Sequence, residues 1–174
     1  MNHKTKSSNN LSTARDLLIG KRYSEAAVLY QRLIQAQPTN GELYLELSSC
    51  LISLGQVDEA VVVIKNALQC IPKNLESACK LQLAQSYLSQ YRIDDAASLF
   101  EDVMRQNPGD IAAVLGMVTI HLKDGYPHKA LSMMEPLKSQ HLNNATFMVN
   151  YSLSLFESME VDRSLDALQD VITR

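Results

Sequence analysis

Four histidines, three cysteines and pairs of adjacent acids are the side chains in this sequence with types suited to chemistry: His3, His121, His128 and His141; Cys50, Cys70 and Cys79; and acids such as Asp94-Asp95 and Glu101-Asp102. A zinc site needs several such ligands converging from fixed spacings. No histidine is expected to share a helix face with a second ligand, so no metal is expected. The thiols form an odd set, each inside an apolar helical pattern, which fits reduced cysteines in a cytosol better than a disulfide framework. A Cys70–Cys79 bridge is the alternative left open. Cys50 falls in a helix whose small positions meet a partner helix, a poor place for a nucleophile. The paired acids suit solvated helix starts and faces. There is no glycine-rich phosphate loop. The chain is therefore expected to be no enzyme and to need no cofactor.

The bulk properties agree with a helical soluble chain. It has 174 residues, the size of one domain, is 46% hydrophobic and carries a formal charge of −3. Beyond a short basic start (His3, Lys4, Lys6), charges of both signs are mixed, so no nucleic-acid partner is expected. No apolar run is long enough for membrane insertion. MNHKTKSSNN lacks the apolar centre of a secretory signal. Residues 1–9 are expected to be a flexible polar tail, and the protein to be cytoplasmic.

The elements follow from periodicity. In VDEAVVVIKNALQCIPKN (57–74) the run Val61-Val62-Val63-Ile64 favours a strand by composition. The apolar positions Val57, Ala60, Val61, Ile64, Ala67, Leu68 and Ile71 instead recur every three or four residues, the signature of one helix face. Asp58 and Glu59 suit the first turn, and Pro72 ends the helix. Val62 and Val63 widen the stripe, which predicts two neighbours for this helix. The pattern recurs in YSEAAVLYQRLIQAQPTN (23–40) and IDDAASLFEDVMRQNPGD (93–110), and more faintly in PHKALSMMEPLKSQHLNN (127–144) and VDRSLDALQDVITR (161–174). The small residues Ala26, Ala60, Ala96, Ala130 and Ser164 are spaced by 34, 36, 34 and 34. Such a period means stacked repeats. The segments between are also helical (41–55, 76–91, 111–125, 145–159, with a short 11–19). They end near Gly20, Gly55, Gln90-Tyr91 or Gly125. The two extra residues near Leu75-Glu76 are expected to lengthen one first helix, and Pro136 to kink one second helix.

A 34-residue helix-turn-helix with an early small residue in the second helix, a large residue four later (Tyr30, Ile64, Phe100, Met134, Leu168) and a closing Pro38, Pro72 or Pro108 resembles the tetratricopeptide repeat. The resemblance covers residues 7–174 and is fullest at Tyr44, Leu47, Gly55, Ala60, Ala67 and Pro72. It implies an all-α, right-handed superhelix of about five units (7–40, 41–74, 77–110, 111–144, 145–174) within a domain spanning 10–174. It also implies that first helices line a concave groove for a peptide or protein. In that register the groove candidates are Leu45, Ser49, Ile52, Leu81, Gln82, Gln85, Leu88, Leu115, Thr119, Leu122, Val149, Asn150 and Phe156. This ladder of aliphatics with small polar residues would suit an amphipathic helix or an extended segment with apolar anchors. Packing between units is the competing account of any one leucine. One subgroup of the family clamps a C-terminal carboxylate. The corresponding positions here include Leu11, Arg15, Glu46, Ala78 and Gln82, where only Arg15 is cationic, so no such clamp is expected.

The implied role is a non-catalytic interaction scaffold. The alternatives are the N-terminal repeat arm of a larger enzyme, such as a glycosyl- or sulfotransferase, and a secretion chaperone. Leu165, Leu168, Val171 and Ile172 on the last helix lack a following helix, because repeat units bury their faces only against neighbours. A second copy of the chain or a further domain is expected to cover them.

Overall fold

The computed structural model describes residues 2–172, with side chains from residue 10 onward except that of Val171. Ten α-helices follow one another among these residues, with no strand: α1 (Asn2–Ile19), α2 (Tyr23–Ala36), α3 (Gly41–Ser53), α4 (Val57–Ala67), α5 (Glu76–Ser89), α6 (Ile93–Gln106), α7 (Ile111–Lys123), α8 (Pro127–Met134), α9 (Ala145–Glu157) and α10 (Val161–Ile172). The Val-rich stretch is helix α4, as its periodicity requires. Contacts divide the chain into two compact units, one ending at Arg92 and one beginning at Ile93.

In the first unit α1 packs on α2, α2 on α3, α3 on α4 and α4 on α5, and α3 also touches α5. Its core holds Ala14, Ala26, Tyr30, Leu33, Leu43, Leu47, Cys50, Leu51 and Ala60. In the second unit α6 packs on α7, α7 on α8, α8 on α9 and α9 on α10, and α7 also touches α9. Its core holds Val114, Val118, Ala130, Leu131, Met134, Phe147, Met148, Tyr151, Leu155 and Ala167. Ala26, Ala60, Ala96 and Ala130 are wholly buried. Only a methyl group at these points lets paired helices approach. Ser164 takes the same place in α10 and would leave a buried hydroxyl. Its Oγ donates to the Ser152 carbonyl at 3.0 Å, and the Ser152 Oγ lies 2.9 Å away. That satisfies the polar group on the spot.

The turn inside each helix pair has one geometry. Lys21, Gly55, Tyr91, Gly125 and Met159 all have positive φ, between 58° and 77°. The residue after each donates its N–H to a carbonyl five residues back: Arg22 to Leu17, Gln56 to Leu51, Arg92 to Tyr87, Tyr126 to His121 and Glu160 to Leu155, at 2.7–2.9 Å. This is the Schellman closure, which normally places glycine at the left-handed residue. Here three of the five carry side chains.

Several expectations change. α1 begins at Asn2, so its backbone takes in residues 2–9, which sequence alone assigned to a polar tail. α1 ends at Ile19, beside Gly20 as expected, but the left-handed residue of that turn is Lys21. The extra residues before α5 form a 3-10 turn, Lys73–Leu75, rather than a longer helix. At Pro136 the chain does not simply kink. α8 ends at Met134 and a 3-10 segment, Glu135–Gln140, follows. Proline has no N–H to continue the α ladder, and its ring crowds the preceding turn. The two neighbours expected for α4 are present, α3 and α5; Val63 packs against the first core, while Val62 stays 57% exposed.

Candidate binding surface on the first helices

The ladder residues lie on α3 and α5 in the first unit and on α7 and α9 in the second. On α3, Leu45 and Ser49 are half-buried and Ile52 packs against the core. On α5, Leu81, Gln82 and Leu88 are half-buried and Gln85 is exposed. Two of the polar members, Gln82 and Ser49, are already engaged. Gln82 Nε2 donates to Ser49 Oγ at 2.9 Å and approaches the Leu45 carbonyl at 3.3 Å, while Ser49 Oγ donates to that carbonyl at 2.9 Å. This three-way contact ties α5 to α3 and fixes the spacing of the flanking leucines. Gln82 and Ser49 are therefore spent on holding α5 to α3, and Leu45, Leu81, Gln85 and Leu88 are left half-buried or exposed beside them.

The second unit differs. Leu115 and Leu122 pack against the core from α7. Thr119 Oγ1 donates to the Leu115 carbonyl at 2.8 Å and Asn150 Nδ2 to the Thr146 carbonyl at 2.8 Å. Each is spent on its own helix. Val149 and Phe156 are about half exposed and line a cleft between α9 and α10, together with Ser152, Leu153, Val161, Ser164, Leu165 and Leu168; its volume is about 410 Å3. Leu165, Leu168 and Ile172 are exposed on α10 as their sequence pattern predicts. The side chain of Val171 lies outside the described residues.

Two charged groups escaped the sequence. Arg15 on α1 donates to Glu46 at 2.8 Å and to Glu42 at 3.2 Å on α3. The cation expected at a carboxylate clamp is thus taken by two acids. Tyr30 lies against Glu46 without a well-formed hydrogen bond, since its hydroxyl and Glu46 Oε2 are both buried and unpartnered. Burial, then the Glu46 charge, hold the phenol well above its ordinary range. The second group joins α10 to α9 and to the 3-10 segment. Arg163 donates to Glu135 at 2.5 Å, to Glu160 at 2.5 Å and to the Tyr151 hydroxyl at 3.0 Å. Burial pushes the Glu135 carboxyl up, but the bonds from Arg163 and Tyr151 outweigh it and hold the group below its ordinary value. The spacing from Glu135 to Arg163, 28 residues, carries no periodic signal that sequence could use.

All three thiols are free; Cys50 and Cys79 are buried and Cys70 is exposed. Burial, with a smaller contribution from Cys70, pushes the Cys79 thiol up to about 11. Among the described residues no group of three or more His, Cys, Asp or Glu is arranged to hold a metal, and no helix is long and apolar enough to cross a membrane.

Comparison with known proteins matches the tetratricopeptide-repeat family model over residues 17–85 and 87–147. The chain is 24% identical over 154 residues to anaphase-promoting complex subunit 7 of Arabidopsis thaliana; the match takes in 82% of this chain and 27% of that protein, so the chain spans about a quarter of its relative. Among solved structures it is similar in fold to TTC0263, a thermophilic tetratricopeptide-repeat protein of Thermus thermophilus. There the TM-score is 0.76 at 18% identity, covering 96% of this chain and 90% of that one. It is also similar to YrrB, described as a tetratricopeptide-repeat protein with an unusual peptide-binding site. The TM-score there is 0.65 at 15% identity, covering 94% and 84%.

Proposed function

The chain belongs to the tetratricopeptide-repeat family, and on that premise we propose that it is a non-catalytic, cytoplasmic scaffold that binds a peptide or protein segment along α3 and α5. The observation that carries this reading is the Gln82–Ser49–Leu45 contact. It locks two adjacent helices through their polar side chains and leaves Leu45, Leu81, Leu88 and Gln85 incompletely buried between them. A surface held in place before binding loses less freedom when a partner arrives. A partner with apolar anchors at helical or extended spacing would fill the half-buried leucines, and Gln85 would bond its backbone. The acids Glu42 and Glu46 beside Arg15 disfavour a terminal carboxylate at the α1 end. Leu115, Thr119, Leu122, Val149, Asn150 and Phe156 belong to the proposal as the matching positions of the second unit.

The test is affinity capture with the wild-type chain beside a Leu81→Glu, Leu115→Glu double variant whose helicity by circular dichroism is unchanged. A photo-crosslinking residue at Gln85 should mark the same partner. A partner held by the wild type, lost by the double variant and crosslinked from position 85 is the expected result. Identical captures by both proteins would refute the groove. A second reading, a repeat arm within a larger protein, is supported by the share of the Arabidopsis subunit that the chain spans. The size of the native protein in its own cell extract distinguishes the two.

A further inference from the structure

We propose that Asn40 is a self-modification site. The backbone nitrogen of Gly41 attacks the Asn40 carboxamide, the side chain deamidates, and α3 then begins on an aspartate. The rate is set by how often the first turn of α3 opens.

Asn40 is the only asparagine in the chain that precedes a glycine. A side chain on the following residue would shield that residue's nitrogen from the asparagine Cγ, and glycine has none. Packing demands glycine here. Gly41 is buried, and a Cβ on it would stand 2.8 Å from both Ile71 Cγ2 and Leu75 Cδ1. α7 and α9 open on Ile111 and Ala145, so the repeat itself does not require glycine at this place. The N–H of Gly41 is one of those at a helix start with no partner inside the helix, so no helical bond holds it.

The carboxamide oxygen is not committed to the helix either. Asp110 and Asn144 hold the place of Asn40 before α7 and α9. Asp110 Oδ1 accepts from the N–H groups of Ala112 and Ala113, both at 3.1 Å, and Asn144 Oδ1 accepts from Phe147 at 3.0 Å. These are N-cap bonds. The Asn40 side chain makes none; its Nδ2 donates to Gln37 Oε1 at 3.3 Å.

The Gly41 nitrogen gives up its proton and bonds Asn40 Cγ, closing a cyclic imide. The Cγ–Nδ2 bond breaks, and Nδ2 leaves as ammonia with that proton. Water then adds to one imide carbonyl carbon and returns a proton to the Gly41 nitrogen. Opening at Cγ leaves aspartate; opening at the Asn40 main-chain carbon leaves isoaspartate. One water is consumed and one ammonia released. At the Asn40 φ of −83° and ψ of 93° the Gly41 nitrogen points away from the side chain. Ring closure therefore needs rotation about ψ, which lifts Gly41 off Ile71 and Leu75. This is a local opening of α3. The aspartate product fits the closed turn, because Asp110 already caps α7 in that place and negative charge is favourable at a helix N-terminus. Isoaspartate lengthens the main chain beside Gly41, where there is no room.

The full chain is held at mildly alkaline pH and followed by intact mass and peptide mapping, with isoaspartyl methyltransferase labelling to separate the products. Asn40 should gain the mass difference between a hydroxyl and an amino group ahead of every other asparagine, and Asn40→Gln should abolish that gain. The rate should be at least about tenfold below that of a synthetic peptide spanning 36–46, since the fold must open first. Ile71→Ala, which makes room beside Gly41, should move the rate toward that of the peptide. Val103→Ala, at a wholly buried position of α6 in the second unit, should not. Asn40→Asp should unfold at a urea midpoint at or above that of the wild type. An Asn40 that stays intact while the peptide converts overturns the proposal. So does a folded chain as fast as the peptide, equal acceleration by Ile71→Ala and Val103→Ala, or a lowered midpoint for Asn40→Asp. None of these measurements depends on what the α3 and α5 ladder binds.

Discussion

The five helix-pair turns allow an internal comparison in which opposite substitutions, glycine to alanine and side chain to glycine, have opposite effects at equivalent positions. Gly55 and Gly125 have φ of 77° and 74°, and a Cβ added at either meets nothing within 4 Å. Any penalty for alanine there is therefore backbone strain and not a clash. The left-handed conformation costs an L-residue about 1–2 kcal/mol. Alanine also removes about 0.4–1 kcal/mol of chain entropy from the unfolded state, which offsets part of that cost. Gly125→Ala should thus destabilise by about 1 kcal/mol. Met159 occupies the same conformation, φ 66°, and is 85% exposed, so its side chain has little burial to lose. Met159→Gly should stabilise by about 0.5–1 kcal/mol through the same two contributions with signs reversed. In a chain of this size about 1 kcal/mol shifts Tm by about 2–4 °C. Urea unfolding at constant m is the better assay, because a change in midpoint alone then reports stability. Stacked repeats gain stability from neighbouring units, so the Met159 effect should be largest for probes in α9 and α10. A neutral Gly125→Ala, or a Met159→Gly that destabilises as much, would refute the assignment of strain to these turns.

Gly116→Ala should destabilise by about 1–2 kcal/mol, although alanine is the better helix former by about 1 kcal/mol. Its Cβ would stand 2.3 Å from the wholly buried ring of Phe100. A rise in the urea midpoint would show that the ring yields, and Phe100→Leu should rescue the variant. Glu135 sits below its ordinary pKa, so the stability it contributes is present above the ordinary carboxylate range and is lost as pH falls through its lowered value. The difference in Tm between wild type and Glu135→Gln should therefore shrink from about pH 6 to about pH 3; a constant difference would mean the Arg163 bonds do not depend on the charge. Native alkylation should add a single group, at exposed Cys70, because burial both shields Cys50 and Cys79 and raises their thiols. Rapid modification of Cys79 in the folded chain, read by intact mass, would contradict its burial.

The sequence determined what is local and repeated. Steps of three and four fixed each helix, including α4 against its β-branched composition, and the 34-residue recurrence of a small residue fixed which helices pair. Those signals lie within one element or one period, so they survive without a partner in view. The exposed apolar face of α10 was legible for the same reason, since Leu165 and Leu168 keep the repeat register and, among the described residues, no helix packs on them. What the tertiary structure decided depends on groups far apart in the chain and on the rotation of each helix. Gln82 reaches Ser49 across 33 residues, Arg163 reaches Glu135 across 28, and Arg15 reaches Glu46 across 31. No periodicity selects these partners among the other polar side chains of similar reach. The same holds for the turns. Glycine marks a left-handed residue at Gly55 and Gly125, but Lys21, Tyr91 and Met159 adopt it without that mark, because the packed helices on either side leave the connecting residue no other way to close.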